Sequence, residues 1–179
     1  MSQGSDPIKM NDAEIQDVVA RLDRLEARDA VRAVKAHYMQ WADEKRRLGM
    51  GELFWEDAVW EELDLSGETI PGCRWEGRDA IADMFDHSPD RLWFTVHYLT
   101  NEAITVTGDT AVGRWKLLEP CTIRDEMAVW QGGHYVDDFE RRDGEWKISH
   151  LRLTLDFQTP YDDGWLRRRH LSDAVAVQS

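Results

Sequence analysis

From Asp12 onward, apolar residues recur at Ile15, Val18, Leu22 and Leu25, the spacing of three and four that places them on one helical face. A second helical run, Val31, Val34, Tyr38 and Trp41 or Ala42, follows Asp29, a suitable N-cap, and fades in the charged DEKRR of residues 43–47. Asp43 is therefore expected near a helix C-terminus. MGELFWEDAVWEEL (50–63) predicts a short helix running into a strand, and GRDAIADMFDHSPD (77–90) another short helix stopped by Pro89. Beyond it the period changes from helical to alternating. Residues 93–106, 110–119, 127–141 and 145–157 read as strands, joined by turn signals at TGD (107–109) and RDG (142–144). The last three or four of these runs are expected to be antiparallel neighbours. Helices followed by a meander predict an α+β fold, with N-terminal helices packed on one face of a strongly curved, mainly antiparallel sheet. Residues 1–11 are polar and expected to be disordered, 12–165 to form a single domain, and the tail 166–179 to be a short amphipathic helix or loose.

Composition narrows the function. Among 179 residues, 22 Lys and Arg stand against 35 Asp and Glu, a net charge of −13 that disfavours nucleic acid and anionic membrane surfaces as partners. No apolar run is long enough to span a bilayer, and MSQGSDPIKM lacks the pattern of a secretion signal, so a cytoplasmic location is expected. Cys73 and Cys121 read as small buried side chains. Nine tryptophans, spread over most of the predicted elements, imply that many rings point inward. That pattern fits an aromatic-rich core and equally a cavity walled by rings, suited to a bulky hydrophobic ligand.

Strand parity then locates candidate chemistry. On the first strand Trp93, Thr95, His97 and Leu99 share a face, and on the last Trp146, Ile148, His150, Arg152, Thr154 and Asp156 do. Both faces mix apolar and ionisable groups, as expected of a pocket with a few convergent polar side chains, although Arg152 and Asp156 could equally face solvent. His97, within FTVHYLTN (94–101), is either a satisfied core histidine or the reactive group of an internal pocket. Asp43 is its natural partner if the second helix lies across the sheet. A carboxylate at the negative end of the helix dipole accepts hydrogen bonds well, so it would hold one imidazole tautomer and stabilise the imidazolium. Asp43 could also merely begin a solvated charged run. His134, after QGG, and His150 lie on strands and could line the same cavity; His37, His87 and His170 are less suitably placed. No HxH or HExxH pair suggests a metal, and there is no GxSxG elbow, P-loop or GxGxxG loop. QGGHY (131–135) predicts a bulge or bend that curves the sheet.

The fragments RLDRLEARDAVRAV, LFWEDAVW, TVHYLTN, GGHYVDDFERRDGEWKIS and FQTPYDDG stand in the order and near the spacing seen in the hexachlorocyclohexane dehydrochlorinases. KAHYMQWAD, TAVGRW and DGEWKI resemble the bile-acid 7-alpha dehydratases. Both belong to the nuclear-transport-factor-2-like (SnoaL-like) superfamily, which includes scytalone dehydratase and the polyketide cyclases, and the resemblance covers roughly residues 20–165. It implies a cone-shaped α+β barrel around a cavity, with no cofactor. It also implies a strand histidine as base, His97, oriented by a helix aspartate, Asp43. Tyr38 matches a tyrosine of the bile-acid dehydratases, and Glu119 falls near their acidic group. The dehydrochlorinases' arginine position falls on Thr154, while this chain has His150 and Arg152 on that strand, so the leaving-group contact is expected to differ.

The resulting expectation is a cofactor-free lyase acting on a bulky hydrophobic, aromatic substrate, with loss of water, halide or a small carbonyl such as formaldehyde. A lignin-type diaryl compound is one specific candidate. His97, Asp43, Tyr38 and Arg152 are the expected catalytic residues, and Trp41, Trp60, Trp93, Trp115, Glu119, His134, His150 and Thr154 the substrate contacts. An isomerase or cyclase of the same fold, or a non-catalytic ligand-binding module, are the alternatives. The resemblance implies a homo-oligomer, a trimer being favoured.

Overall fold

The computed structural model describes residues 10–44, 49–124 and 126–172; residues 1–9 of the tail expected over 1–11, most of the DEKRR run and residues 173–179 lie outside them. The two predicted N-terminal helices are one. Helix α1 runs over 32 residues, Asp12–Asp43. The stretch RLEARDAVRAV contains neither Gly nor Pro and is rich in strong helix formers, so the helix propagates straight through Asp29. The cap is instead Asn11, whose side-chain oxygen accepts the Glu14 N–H at 3.0 Å while the Glu14 carboxylate accepts the Asn11 N–H at 2.8 Å. Only the second half of α1 packs. Ala27, Val31, Lys35, Tyr38 and Met39 are buried on the sheet, and the Arg32 guanidinium clamps Glu102 at 2.7 Å. The stripe Ile15, Val18, Leu22 and Leu25, expected to face a core, is exposed.

A single 3-10 turn, Met50–Leu53, leads into β1 (Phe54–Leu63), β2 (Thr69–Glu76) and α2 (Arg78–Asp86). Then come β3 (Leu92–Thr95), β4 (Tyr98–Thr107), β5 (Thr110–Ile123), β6 (Met127–Arg142), β7 (Glu145–Pro160) and a one-turn helix α3 (Gly164–Arg167). The sheet order is β2-β1-β7-β6-β5-β3, with β4 also on β5; the pairs are antiparallel except β1 with β7. Strand β2 was not anticipated, because Pro71 and Gly72 interrupt its pattern; a proline is tolerated there because β2 is an edge strand. The sheet curls at Gly132–Gly133, where the β6/β7 register slips as QGGHY predicted. A side chain on Gly133 would collide with the Thr154 carbonyl and the Leu155 backbone, so only glycine permits this approach. The curled sheet and the buried half of α1 form the two layers of a cone.

The predicted strand 93–106 is split at Val96–His97. The Val96 N–H reaches the Pro120 carbonyl at 3.2 Å, but Pro120 has no N–H to return, and the ladder opens there. Three register slips, one of them the Gly132–Gly133 bend, reverse which face a side chain occupies. Trp93 is an extra residue between the Leu92–Ile123 and Phe94–Thr122 pairs, Ser149 between His150–Asp138 and Ile148–Phe139, and Asp156 between Leu155–Gly133 and Phe157–Gly132. Because side chains alternate with a period of two, one extra residue turns the following side chains to the other face.

Beneath the second half of α1 lies a pair that no sequence pattern singled out. Lys35 is 1% exposed and Asp137 0%, with the ammonium 2.7 Å from the carboxylate. The ammonium also sits 3.4 Å from the Tyr135 ring centroid. Burial pushes the Lys35 pKa down and the Asp137 pKa up, each partly offset by the other's charge.

Candidate active site

The opening in the β3–β4 strand serves the last residue of α1. Asp43 ends the helix at the narrow gap, and its carboxylate accepts the His97 backbone N–H at 3.0 Å, the Thr95 hydroxyl at 3.2 Å and His97 Nδ1 at 2.6 Å. The His97 backbone N–H is thus satisfied by a side chain from another layer rather than by the ladder. Burial alone would raise the Asp43 pKa; the hydrogen bonds and charge of His97 outweigh it and hold the group below its ordinary value. An ionised carboxylate can only accept, so Nδ1 carries a proton and Nε2 is the nitrogen that exchanges one. With a folded pKa depressed, Asp43 contributes stability that is present above its unfolded pKa and lost as pH falls through the folded one. Asp43→Asn is therefore expected to flatten the acid limb of a Tm-against-pH curve below about pH 4, measured by calorimetry.

His97 Nε2 points at a second carboxylate, Glu119, 3.3 Å away and only 2% exposed. Glu119 is held by an amide chain: Gln131 donates to it at 2.5 Å and accepts from the Gln158 amide at 2.7 Å. These groups line one end of a cavity of about 710 Å³ whose other walls include Tyr38, Trp60, Trp75, Tyr135 and Phe85. The volume suits a ligand of two rings rather than a small polar metabolite. The Tyr38 oxygen accepts the Trp60 indole N–H at 2.8 Å, and burial pushes the phenol well above its usual range. Tyr38 therefore stays protonated with its own hydrogen left to donate. Glu62, also in the wall, is raised by burial, with Arg91 opposing, and Cys73 is raised by burial, which removes it as a nucleophile. Among the described residues, no three His, Cys, Asp or Glu side chains are arranged to hold a metal ion.

The remaining predicted contacts are elsewhere, and the bulges explain most of them. Beyond Ser149, Leu151, Leu153 and Leu155 face inward, which turns Arg152, His150 and Thr154 to the outer face of the sheet. There Arg152 donates to Asp138 at 2.5 Å and to His150 Nδ1 at 2.8 Å, and His150 Nε2 bonds Glu61 at 2.7 Å. His134, paired across the ladder with Thr154, lies outside with them, 3.3 Å from Asp156. Trp93, as the bulged residue, is exposed and gives its inward place to Leu92. Trp115 belongs to the core, packed edge-on to Phe139, and Trp41 stacks on His37 on the helix. Arg152→Gln is accordingly expected to change kcat by no more than about threefold, as a substitution outside the cavity does, in steady-state assays on a turned-over substrate. Sequence reasoning missed Thr95 as an Asp43 partner, Trp75, and the Gln131–Gln158 chain. The signal for Gln131 was present: it shares parity with Tyr135 on a strand whose inward positions are otherwise mostly apolar.

A curled sheet closed by one helix, with a carboxylate-held histidine turned into an aromatic cavity, defines a cone-fold protein with an ionisable cluster at one end of its cavity. The chain belongs to the SnoaL-like domain family, which it matches over residues 23–152. It is 27% identical over 148 residues to hexachlorocyclohexane dehydrochlorinase 1 of Sphingobium indicum, covering 78% of this chain and 88% of that protein. The gamma-hexachlorocyclohexane dehydrochlorinase of the same species is 25% identical over 147 residues, 78% of this chain and 86% of its own. A crystal structure of a type 2 hexachlorocyclohexane dehydrochlorinase superposes with a TM-score of 0.69 at 25% identity, over 78% of this chain and 92% of that one. A putative scytalone dehydratase from Novosphingobium aromaticivorans shares the fold, with a TM-score of 0.65 at 22% identity, over 84% of this chain and 96% of that one. No described helix is long and apolar enough to cross a membrane.

Proposed function

We propose that the protein is a cofactor-independent lyase that eliminates a small group from a bulky, hydrophobic, aromatic substrate, with His97 as base and Asp43 as its orienting partner. One observation carries the reading: His97 is gripped on its Nδ1 side by an ionised carboxylate while Nε2 faces a cavity walled by Tyr38, Trp60, Trp75 and Tyr135. Nothing about a solvated charge run requires three donors to converge on Asp43. The kinship with dehydrochlorinases supports an elimination.

In the proposed step His97 Nε2 takes a proton from the carbon beside the leaving group, the carbon–leaving-group bond breaks, and a carbon–carbon double bond forms. Tyr38 donates a hydrogen bond to the departing water oxygen or halide, and the proton on His97 leaves with that group. The same groups serve a formaldehyde elimination. There His97 takes the proton of a hydroxymethyl group, the carbon–carbon bond breaks to release formaldehyde, and the electron pair expels a neighbouring hydroxyl as water. A diaryl compound of the lignin type fits the cavity in size and character. Glu119, fixed by Gln131 and Gln158, stabilises the imidazolium from the Nε2 side. The working form is a homo-oligomer, a trimer being favoured.

Mass spectrometry of products from a panel of aryl-substituted alcohols, halides and hydroxymethyl compounds tests the reading. A product lighter by water, by hydrogen halide, or by formaldehyde together with water supports elimination; a product of unchanged mass sinks it in favour of isomerisation, and saturable binding of the panel without any product leaves a binding protein. Within that assay Tyr38→Phe is expected to lower kcat by about a hundredfold with little change in KM, as loss of one preorganised donor does. The fold of this variant is checked first, because the Trp60 N–H loses its acceptor.

A further inference from the structure

Every residue from Met10 to Glu26 is exposed, so the first four turns of α1 stand away from the domain as a rod. At 1.5 Å per residue, 12–26 reach about 22 Å beyond Ala27, the first buried position. An isolated helix of this length is marginal in water. This one also shows solvent a continuous apolar stripe: Ile15, Val18, Val19, Leu22 and Leu25 are 44 to 59% exposed. Most of the rod, residues 12–22, precedes the stretch over which the chain matches the SnoaL-like family, residues 23–152.

The spacing identifies the partner. Ile15, Val18, Leu22 and Leu25 follow one another at three, four and three residues, the heptad seam in which 15 and 22 take position a and 18 and 25 position d. The a and d positions match the groove of another helix carrying the same repeat, and Val19 at position e widens the stripe on one side. The flanking charges agree. Arg21 falls at position g and Glu26 at the following e, so in a parallel pairing Arg21 of each copy lies across from Glu26 of the next. An antiparallel pairing would set the two Arg21 side chains against each other. Within one chain Arg21 has only a 3.8 Å, exposed approach to Asp17.

We propose that the projecting half of α1 is a self-association arm, pairing through residues 15–25 with the same segment of a second copy of this chain in a parallel coiled coil. Four core positions per helix make a short seam, which holds because each helix is already anchored in its own domain by Lys35 and Arg32 and capped at Asn11. The arm does not depend on the chemistry proposed above.

Cysteine cross-linking of the full chain tests it. Leu22→Cys puts a thiol at an a position, where the two copies meet side by side; Arg24→Cys puts one on the outer face of the same turn. The native Cys73 and Cys121 are half-buried and buried, and the unsubstituted chain is the blank. Under mild oxidation Leu22→Cys is expected to form the inter-chain disulfide at least about tenfold faster than Arg24→Cys, because the helices hold its partners at high effective concentration. In sedimentation velocity Val18→Glu/Leu22→Glu is expected to reduce the mass of the assembly. Equal cross-linking rates for the two cysteines overturn the proposal, as does a monomeric wild-type chain. A double glutamate variant with unchanged mass overturns it too, and assigns the stripe to another surface or another protein.

Discussion

Replacing His97 by Asn is expected to lower kcat by about 10² to 10⁴-fold while the protein stays folded, which is the share of a rate enhancement that a positioned general base supplies. Asn is close to imidazole in reach on the Nδ1 side, and its amide can still donate to the Asp43 carboxylate, so the three-donor cluster that ties β3 and β4 to α1 survives. What it lacks is a basic nitrogen facing the cavity. Asp43→Asn is the companion: without a carboxylate to accept from Nδ1, the imidazole is no longer held in the tautomer that leaves Nε2 basic, and kcat falls while substrate affinity is retained. The two changes act on one unit, so the double variant should be little worse than the worse single one. Single-turnover kinetics on any substrate found by product mass measures all three. A His97→Asn enzyme with wild-type turnover would remove His97 from the chemistry and leave it a structural ligand of Asp43.

Lys35→Met is expected to destabilise the protein by about 3 to 5 kcal/mol, because it leaves Asp137 buried with no counter-charge. That is a large part of the roughly 5 to 15 kcal/mol by which domains of this kind are stable. The double variant Lys35→Met/Asp137→Leu should recover most of the loss, since two apolar groups of similar volume need no compensation. The pH dependence separates this account from simple loss of packing. Burial already holds the Asp137 pKa above its ordinary value, and removing Lys35 removes the main charge that opposes it. The native state of the single variant then binds a proton that the unfolded chain has released, so its stability falls as pH rises from about 5 to 7, whereas a cavity alone is indifferent to pH. Urea denaturation at the two pH values decides the point. If the single and double variants are equally destabilised, the pair is not the cause.

Much of this molecule could be read before any coordinates. The change from a period of about 3.6 to a period of 2 near residue 90 announced helices followed by a meander, and the paired glycines at 132–133 announced the bend, because glycine alone allows β6 and β7 to approach there. The juxtaposition of Asp43 and His97 followed from motif order, a helix end and a strand histidine, and Tyr38, Trp60 and Glu119 do line the cavity. These are local features: propensity, turn chemistry and the residues of short motifs.

Tertiary structure decided the remainder, for two physical reasons. A single extra residue at Trp93, Ser149 or Asp156 turns the following side chains to the opposite face, and whether a residue is extra is defined only by the partner strand. So Arg152, His150 and Trp93, inside by simple alternation, stand outside. Burial, too, belongs to the whole assembly. Lys35 and Asp137, 102 positions apart on a helix and a strand, were singled out by no local pattern, and the regular spacing from Ile15 to Leu25 did not show that this stripe would be left exposed. The sequence by itself determined most of the segments that are helix or strand and which two residues could form a dyad; the packing of one sheet against half a helix decided which charge is buried, which groups see the cavity, and which apolar face is left exposed.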